Sequence, residues 1–108
     1  MFADLKFVLS PPGVGLLAGR LPRRWRAVVE FGGGKISVVA GEDYACWPQK
    51  LLGNPHDYGA YEVGYVSDGP TVVESGVSPE VLDSLLGRLA GGETFESARE
   101  ALGLRFQS

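Results

Sequence analysis

The sequence predicts an α+β domain in which an antiparallel sheet of four to five strands carries two C-terminal helices on one face. Three observations lead to this class. Apolar and polar residues alternate in the first two thirds of the chain, as they do in strands with one buried face. Two pairs of such runs are separated by glycine-containing turns, which predicts two hairpins. From Ser78 onward, the apolar residues recur at helical spacing.

The first predicted strand covers residues 6–9 and ends before Pro11, because proline lacks the amide that a ladder needs. Residues 14–21 are apolar and fit either a short helix or a loop. Residues 25–31 and 35–40 form the first predicted hairpin. The three glycines between them are expected to adopt positive φ, which costs glycine little.

Residues 41–59 contain prolines and glycines without clear periodicity, so they are predicted as a long loop, with a helical turn near residues 49–52. Long loops in compact domains are often functional. The second predicted hairpin joins residues 60–67 to residues 71–74. Tyr61 and Tyr65 share one of its faces, which predicts that both belong to the core.

The helices are predicted from their end signals. Ser78 can cap the free amides of the first turn, and Pro79 suits the first helical position. This helix is expected to end at Gly91. The second helix is capped by Thr94, covers residues 95–102 and stops at Gly103.

The composition predicts a single globular domain over residues 1–108. Hydrophobic residues make up 44% and charged residues 21%, and the formal net charge is −3. The only cysteine, Cys46, has no partner for an internal disulfide, which favours a reducing, cytoplasmic compartment. The N-terminus makes a poor signal peptide, and no apolar run is long enough to cross a bilayer, so no membrane partner is expected.

Basic residues concentrate near the N-terminus. The first 26 residues carry five basic side chains and one acid, whereas the rest of the chain carries five basic and twelve acidic ones. The arginines of this cluster are Arg20, Arg23, Arg24 and Arg26. The cluster predicts contact with an acidic patch on a protein partner. Two alternatives are a sheet edge guarded by charge and a contact with nucleic-acid phosphates, which the acidic remainder of the chain disfavours.

The long loop supplies the other candidate contact residues, which are Tyr44, Trp47, His56, Asp57 and Tyr58. Loop aromatics either anchor protein interfaces or fix the loop to the sheet. Cys46, His56 and Asp57 have the residue types of a thiol nucleophile, a base and an orienting acid. Because no further catalytic signature accompanies them, we expect no enzyme. We also expect no cofactor or metal, since one cysteine and one histidine cannot complete a zinc site.

Residues 57–64 read Asp-Tyr-Gly-Ala-Tyr-Glu-Val-Gly, and after a short hairpin residues 77–81 read Val-Ser-Pro-Glu-Val, followed by Leu85-Leu86. Over about half of the chain, this pattern resembles small phage and prophage-encoded α+β proteins of unknown function. That class includes inhibitors of host defence such as anti-CRISPR proteins. The resemblance implies a non-enzymatic protein that inhibits a host defence complex by stoichiometric contact, and it implies no catalytic residues.

Overall fold

The computed structural model describes residues 2–10, 23–42 and 46–107. Five strands form one antiparallel sheet and lie side by side in chain order. The elements are β1 (Val8–Ser10), β2 (Arg24–Phe31), β3 (Gly34–Gly41), β4 (Tyr61–Val66), β5 (Val72–Val77), α1 (Pro79–Ala90) and α2 (Phe95–Ala101). The predicted α+β class, with two hairpins and two C-terminal helices, is confirmed. Residues 14–21, which fit a helix or a loop, lie outside the described residues.

One face of the sheet is buried against the helices. In β2, Ala27 is buried while Arg26 and Val28 are exposed, as the alternating sequence predicts. Ala27 pairs with Val38 in the next strand. The largest fully buried side chains, drawn from the sheet, the loop before β4 and α1, are Tyr58, Tyr61, Ile36, Leu82, Leu85, Leu86, Val38 and Val63. The opposite face carries no helix among the described residues.

The helix ends follow the predicted signals. Ser78 Oγ accepts a hydrogen bond from the amide of Val81 at 3.3 Å, and Thr94 Oγ accepts one from Ser97 at 3.2 Å. Each hydroxyl satisfies an amide that has no partner within its own helix. The Gly91 amide donates to the Gly87 carbonyl at the end of α1.

The C-terminal segment covers the outer edge of β5. Val73 and Gln107 exchange two backbone hydrogen bonds of 2.7 and 2.8 Å. The Glu74 carboxylate accepts from the amides of Arg105 and Phe106 at 3.1 and 2.9 Å. Phe106 is buried in the same core as the helices. The outer backbone groups of Val73 therefore have partners from the chain itself.

The hairpin between β2 and β3 needs glycine for a different reason from the expected one. Phe31 pairs with Gly34, so Gly32 and Gly33 form a two-residue turn. Among the described glycines, those in the positive-φ region are Gly76, Gly92 and Gly103, so the predicted positive φ at the hairpin tip is wrong. A Cβ on Gly32 or Gly33 would meet nothing within 4 Å. A Cβ on Gly34, in contrast, would lie 2.5 Å from the Val66 carbonyl oxygen.

Residues 49–52 form no helical turn, so that prediction is wrong. A 3-10 turn forms later in the loop, over Pro55–Asp57. Asn54 starts this turn, since its side chain accepts a hydrogen bond from the His56 amide at 3.0 Å. The backbone of the earlier segment has another partner. Tyr58 Oη donates to the Lys50 carbonyl and accepts from the Leu52 amide.

We expect Gly34→Ala to lower the free energy of unfolding by roughly 1–3 kcal/mol, because the new methyl group must displace backbone or the Tyr65 ring. Gly33→Ala is the matched control and should cause no loss, since its site is open and outside the left-handed region. Urea denaturation followed by circular dichroism measures both. Equal losses in the two variants would contradict this account of the turn.

Candidate protein-binding surface

The arginines of β2 project from the helix-free face of the sheet, near the start of the strand. Arg26 is exposed and Arg24 is half-buried. β1 pairs with β2 through Arg24 and Arg26, and β3 pairs with the other side of the same strand. This part of β2 is therefore not a sheet edge. The guarded-edge interpretation is wrong, because a charge guards an edge only where the backbone lacks a strand partner.

The other arginines of the cluster differ in position. Arg23 comes directly before β2 and is half-buried, and its carbonyl accepts a hydrogen bond from the Glu42 amide at 3.3 Å. Its Nε is buried and has no hydrogen-bond partner among the described residues. Arg20 lies outside the described residues. Arg24 and Arg26 are thus the two cluster arginines whose place on the sheet is defined.

Three large hydrophobic side chains are exposed among the described residues, and two of them lie beside these arginines. Val8 is 66% exposed and is the cross-strand partner of Arg26. Val28 is 47% exposed and is the next residue on the same face of β2. Trp47, the third, is 70% exposed. We call Val8, Arg24, Arg26 and Val28 the arginine face.

Trp47 is exposed although its backbone is held in place. Its amide donates to the Ala60 carbonyl at 3.0 Å, and its carbonyl accepts from the Gly59 amide at 2.8 Å. The preceding Cys46 sulfur lies 3.3 Å from the carbonyl oxygen of Gly41, the cross-strand partner of Arg24. Trp47 is therefore attached to the same end of the sheet as Arg24.

Tyr58 supports the loop instead of presenting a contact. Its side chain is only 2% exposed, and its hydroxyl lies 2.5 Å from the Lys50 carbonyl and 2.9 Å from the Leu52 amide. Loop aromatics either anchor protein interfaces or fix the loop to the sheet. Tyr58 is buried and fixes the loop, whereas Trp47 is exposed and available for contact. Tyr44 lies outside the described residues.

His56 and Asp57 lie in the 3-10 turn of the loop. The His56 ring packs edge-on against the rings of Phe2 and Phe7, with centroids 5.3 and 5.2 Å away, and its Nε2 is buried without a hydrogen-bond partner among the described residues. Asp57 is exposed at the end of the turn. His56 is thus chiefly a packing residue, and Asp57 remains available to solvent.

The Cys46 thiol is buried and hydrogen-bonds to backbone. Its sulfur lies 3.3 Å from the Gly41 carbonyl and 3.4 Å from the Pro48 carbonyl. Burial raises the pKa of the thiol above its ordinary value. Within the described ranges no hydrogen bond joins Cys46 to His56. The arrangement therefore favours a protonated, packed thiol at neutral pH.

Sequence reasoning missed the two exposed valines. Val28 occupies a polar position in the alternation of β2, between Arg26 and Glu30. An apolar residue at such a position is a signal for a contact surface. Val8 had no such signal, because its exposure depends on which strand pairs with β2.

Comparison with known proteins found no matching family model, no similar curated protein and no similar solved structure. Over residues 2–10, 23–42 and 46–107, no helix has both the length and the hydropathy needed to cross a bilayer. In the same residues, no group of three or more histidine, cysteine or acidic side chains is placed to hold a metal ion.

The buried hydroxyl and thiol groups predict a loss of stability at alkaline pH. Burial raises the pKa of Cys46 and Tyr58 and raises that of Tyr61 from 10.0 to about 12. The folded state keeps these protons to a higher pH than the unfolded state does. The stabilisation that the three groups give the fold is therefore complete below their unfolded pKa values, and it is lost as the pH rises through their folded pKa values.

We therefore expect the free energy of unfolding to fall between pH 9 and pH 12, the range set by the ordinary thiol value of 9.0 and the shifted value of Tyr61. Urea denaturation at a series of pH values measures the slope. Tyr61→Phe should reduce it, even though the variant also loses the hydrogen bond to the Pro55 carbonyl at every pH. An unchanged slope in this variant would contradict the assignment to Tyr61.

Proposed function

We propose that this chain is a non-enzymatic binding protein that inhibits or adapts a larger complex by stoichiometric contact, as its resemblance to phage-encoded proteins suggests. The partner we propose is a protein with an acidic patch. One observation carries this proposal: the exposed side chains of Val8 and Val28 flank Arg26 on the helix-free face, and the exposed Trp47 is attached to the same end of the sheet.

The chemistry of this surface suits a protein interface. Arginine and tryptophan are the residues most enriched among those that dominate binding energy. Arginine also pairs with carboxylates through two parallel hydrogen bonds, which gives both attraction and orientation. Because the Trp47 backbone is held by two hydrogen bonds, the partner would not have to order that part of the chain on binding.

The size of the surface defines how far the contact must extend. Five strands about 4.8 Å apart, two of them eight residues long and the others three to six, give a face of roughly 500 Å². A standard interface buries about 800 Å² per partner. The arginine face alone is therefore too small, and we propose that the partner also covers Trp47.

A nucleic-acid partner has less support. Proteins that bind single strands on a sheet stack the bases on exposed aromatic rings. The aromatic residues of β2 and β4 lie on the helix side of this sheet, and they are Trp25, Phe31, Tyr61 and Tyr65. The helix-free face presents valines beside the arginines instead, and Trp47 is the single aromatic ring of the proposed contact surface, whereas such proteins stack successive bases on several rings. The formal net charge of −3 also opposes phosphate binding.

We propose that the chain is not an enzyme, and the thiol alternative has the least support: the Cys46 sulfur is buried against the Gly41 and Pro48 carbonyls and its pKa is raised, whereas thiolates and not thiols are nucleophiles. A buried free cysteine also suits the reducing, cytoplasmic compartment that we propose.

Capture from a host-cell extract with tagged wild-type protein and two single variants tests the proposal. Arg26→Glu reverses a charge on the arginine face, and Arg105→Glu makes the same change at an exposed residue beside β5. We expect one partner to be recovered in fixed proportion. Titration of that purified partner should show binding weakened at least about tenfold by Arg26→Glu and unchanged by Arg105→Glu.

Trp47→Ala is a second test, and it leaves the charge of the surface unchanged. It should weaken binding to a similar extent. Equal recovery by all variants would overturn the proposed surface. Low-salt binding of a labelled oligonucleotide, lost in Arg26→Glu and kept in Arg105→Glu, would replace the protein partner by nucleic acid.

A further inference from the structure

A second surface lies at the opposite end of β2, where the hairpin tip faces the loop between α1 and α2. The two enclose a cleft of about 620 Å³. Its walls include residues 31–34 at the hairpin and residues 92–96, which run from the connection after α1 into the first turn of α2. This volume falls within the range of small-molecule pockets, about 300–1,000 Å³. The cleft is separate from the arginine face, since it lies at the other end of the strand and on the helix side.

The glycines of this wall are not explained by folding. Gly32 and Gly33 lie outside the positive-φ region, and a Cβ at either would meet nothing within 4 Å. Glycine at a position that tolerates alanine costs about 0.5–1 kcal/mol through the greater freedom of the unfolded chain. Bare backbone is useful where a ligand must approach closely. These two glycines keep the wall of the cleft free of side chains.

The floor of the cleft is apolar and aromatic. The rings of Tyr65 and Phe95 stack with centroids 3.7 Å apart and planes 3° from parallel. Leu89 and Phe31 complete this apolar lining. Phe95 and Leu89 belong to the buried core, so the floor is held in place by the fold. Because the two rings stack on each other, an occupant meets the edges of the stack or an outer ring face, and an aromatic ring packs favourably against either.

The charged residues that line the cleft are acidic. They are Glu93 and Glu96, and their ion-pair partners Arg88 and Arg99 are not among the lining residues. The Glu93 carboxylate is held by Arg88 at 3.0 Å and by the Ser97 hydroxyl at 2.9 Å. The lining therefore contributes two carboxylate-bearing side chains and no cationic one, which favours a cation over an anion.

We propose that this cleft binds a small aromatic amine. Its ring packs against the Tyr65–Phe95 ring stack and the bare backbone of Gly32 and Gly33. Its ammonium group lies near the carboxylates of Glu93 and Glu96. The apolar floor selects the ring, and the acidic lining selects the charge.

Titration with tryptamine, followed by amide chemical shifts in NMR spectra, tests this site. We expect saturable shifts of residues 32–34 and 92–96. Indole-3-acetate has the same ring and the opposite charge, and it should bind roughly tenfold more weakly. Equal affinity for the two probes would overturn the assignment of a cation. Shifts confined to other residues, or none for tryptamine, would overturn the site.

Variants at the glycines test the wall directly. Gly32→Leu and Gly33→Leu, studied singly, place a side chain at each of the two open positions of the tip. Gly53→Leu is the matched control, because that glycine is equally open but lies in the loop before β4. We expect at least one tip variant to lose tryptamine binding at least tenfold while it stays folded, and the control to keep it. Unchanged binding in both tip variants would overturn the proposal.

Discussion

The structure depends on the burial of one face of the sheet beneath α1. Ile36 and Val38 on β3 are fully buried together with Leu82 and Leu85 of the helix, and each such side chain contributes about 1.5–3 kcal/mol when it leaves water. Because strand side chains alternate, this burial also fixes which residues point away from the helices. Arg26 and its neighbours on the outer face are exposed as a direct consequence of what the inner face buries.

The same constraint separates the two proposed sites. The arginine face lies on the uncovered side of the sheet near the start of β2, and the cleft lies on the helix side where β2 ends. The first presents arginines beside valines, and the second presents carboxylates beside aromatic rings. Neither surface shares side chains with the other, so each can be altered without changing the chemistry of its counterpart.

The element order could be predicted from sequence because the signals are local. Alternation in residues 25–31 and the cap at Ser78 each depend on a few neighbouring residues. The candidate site needed long-range information. The exposure of Val8 depends on its pairing with Arg26, and the burial of Tyr58 depends on hydrogen bonds to Lys50 and Leu52. The prediction for the turn glycines was wrong for a related reason. Composition does not reveal whether a glycine is needed because a side chain would clash or because the backbone adopts positive φ.

The bridge between Val73 and Gln107 makes the two edges of this sheet unequal. Strand pairing between molecules needs a free row of backbone groups on each partner. The segment around Gln107 occupies that row at Val73 on one side. In the described part of the chain, the opposite side keeps a stretch of β2 beyond Arg26 without a strand neighbour. A second copy that paired along β5 would have to displace the C-terminal segment at Val73, whereas pairing along this stretch of β2 would displace no strand of the described chain.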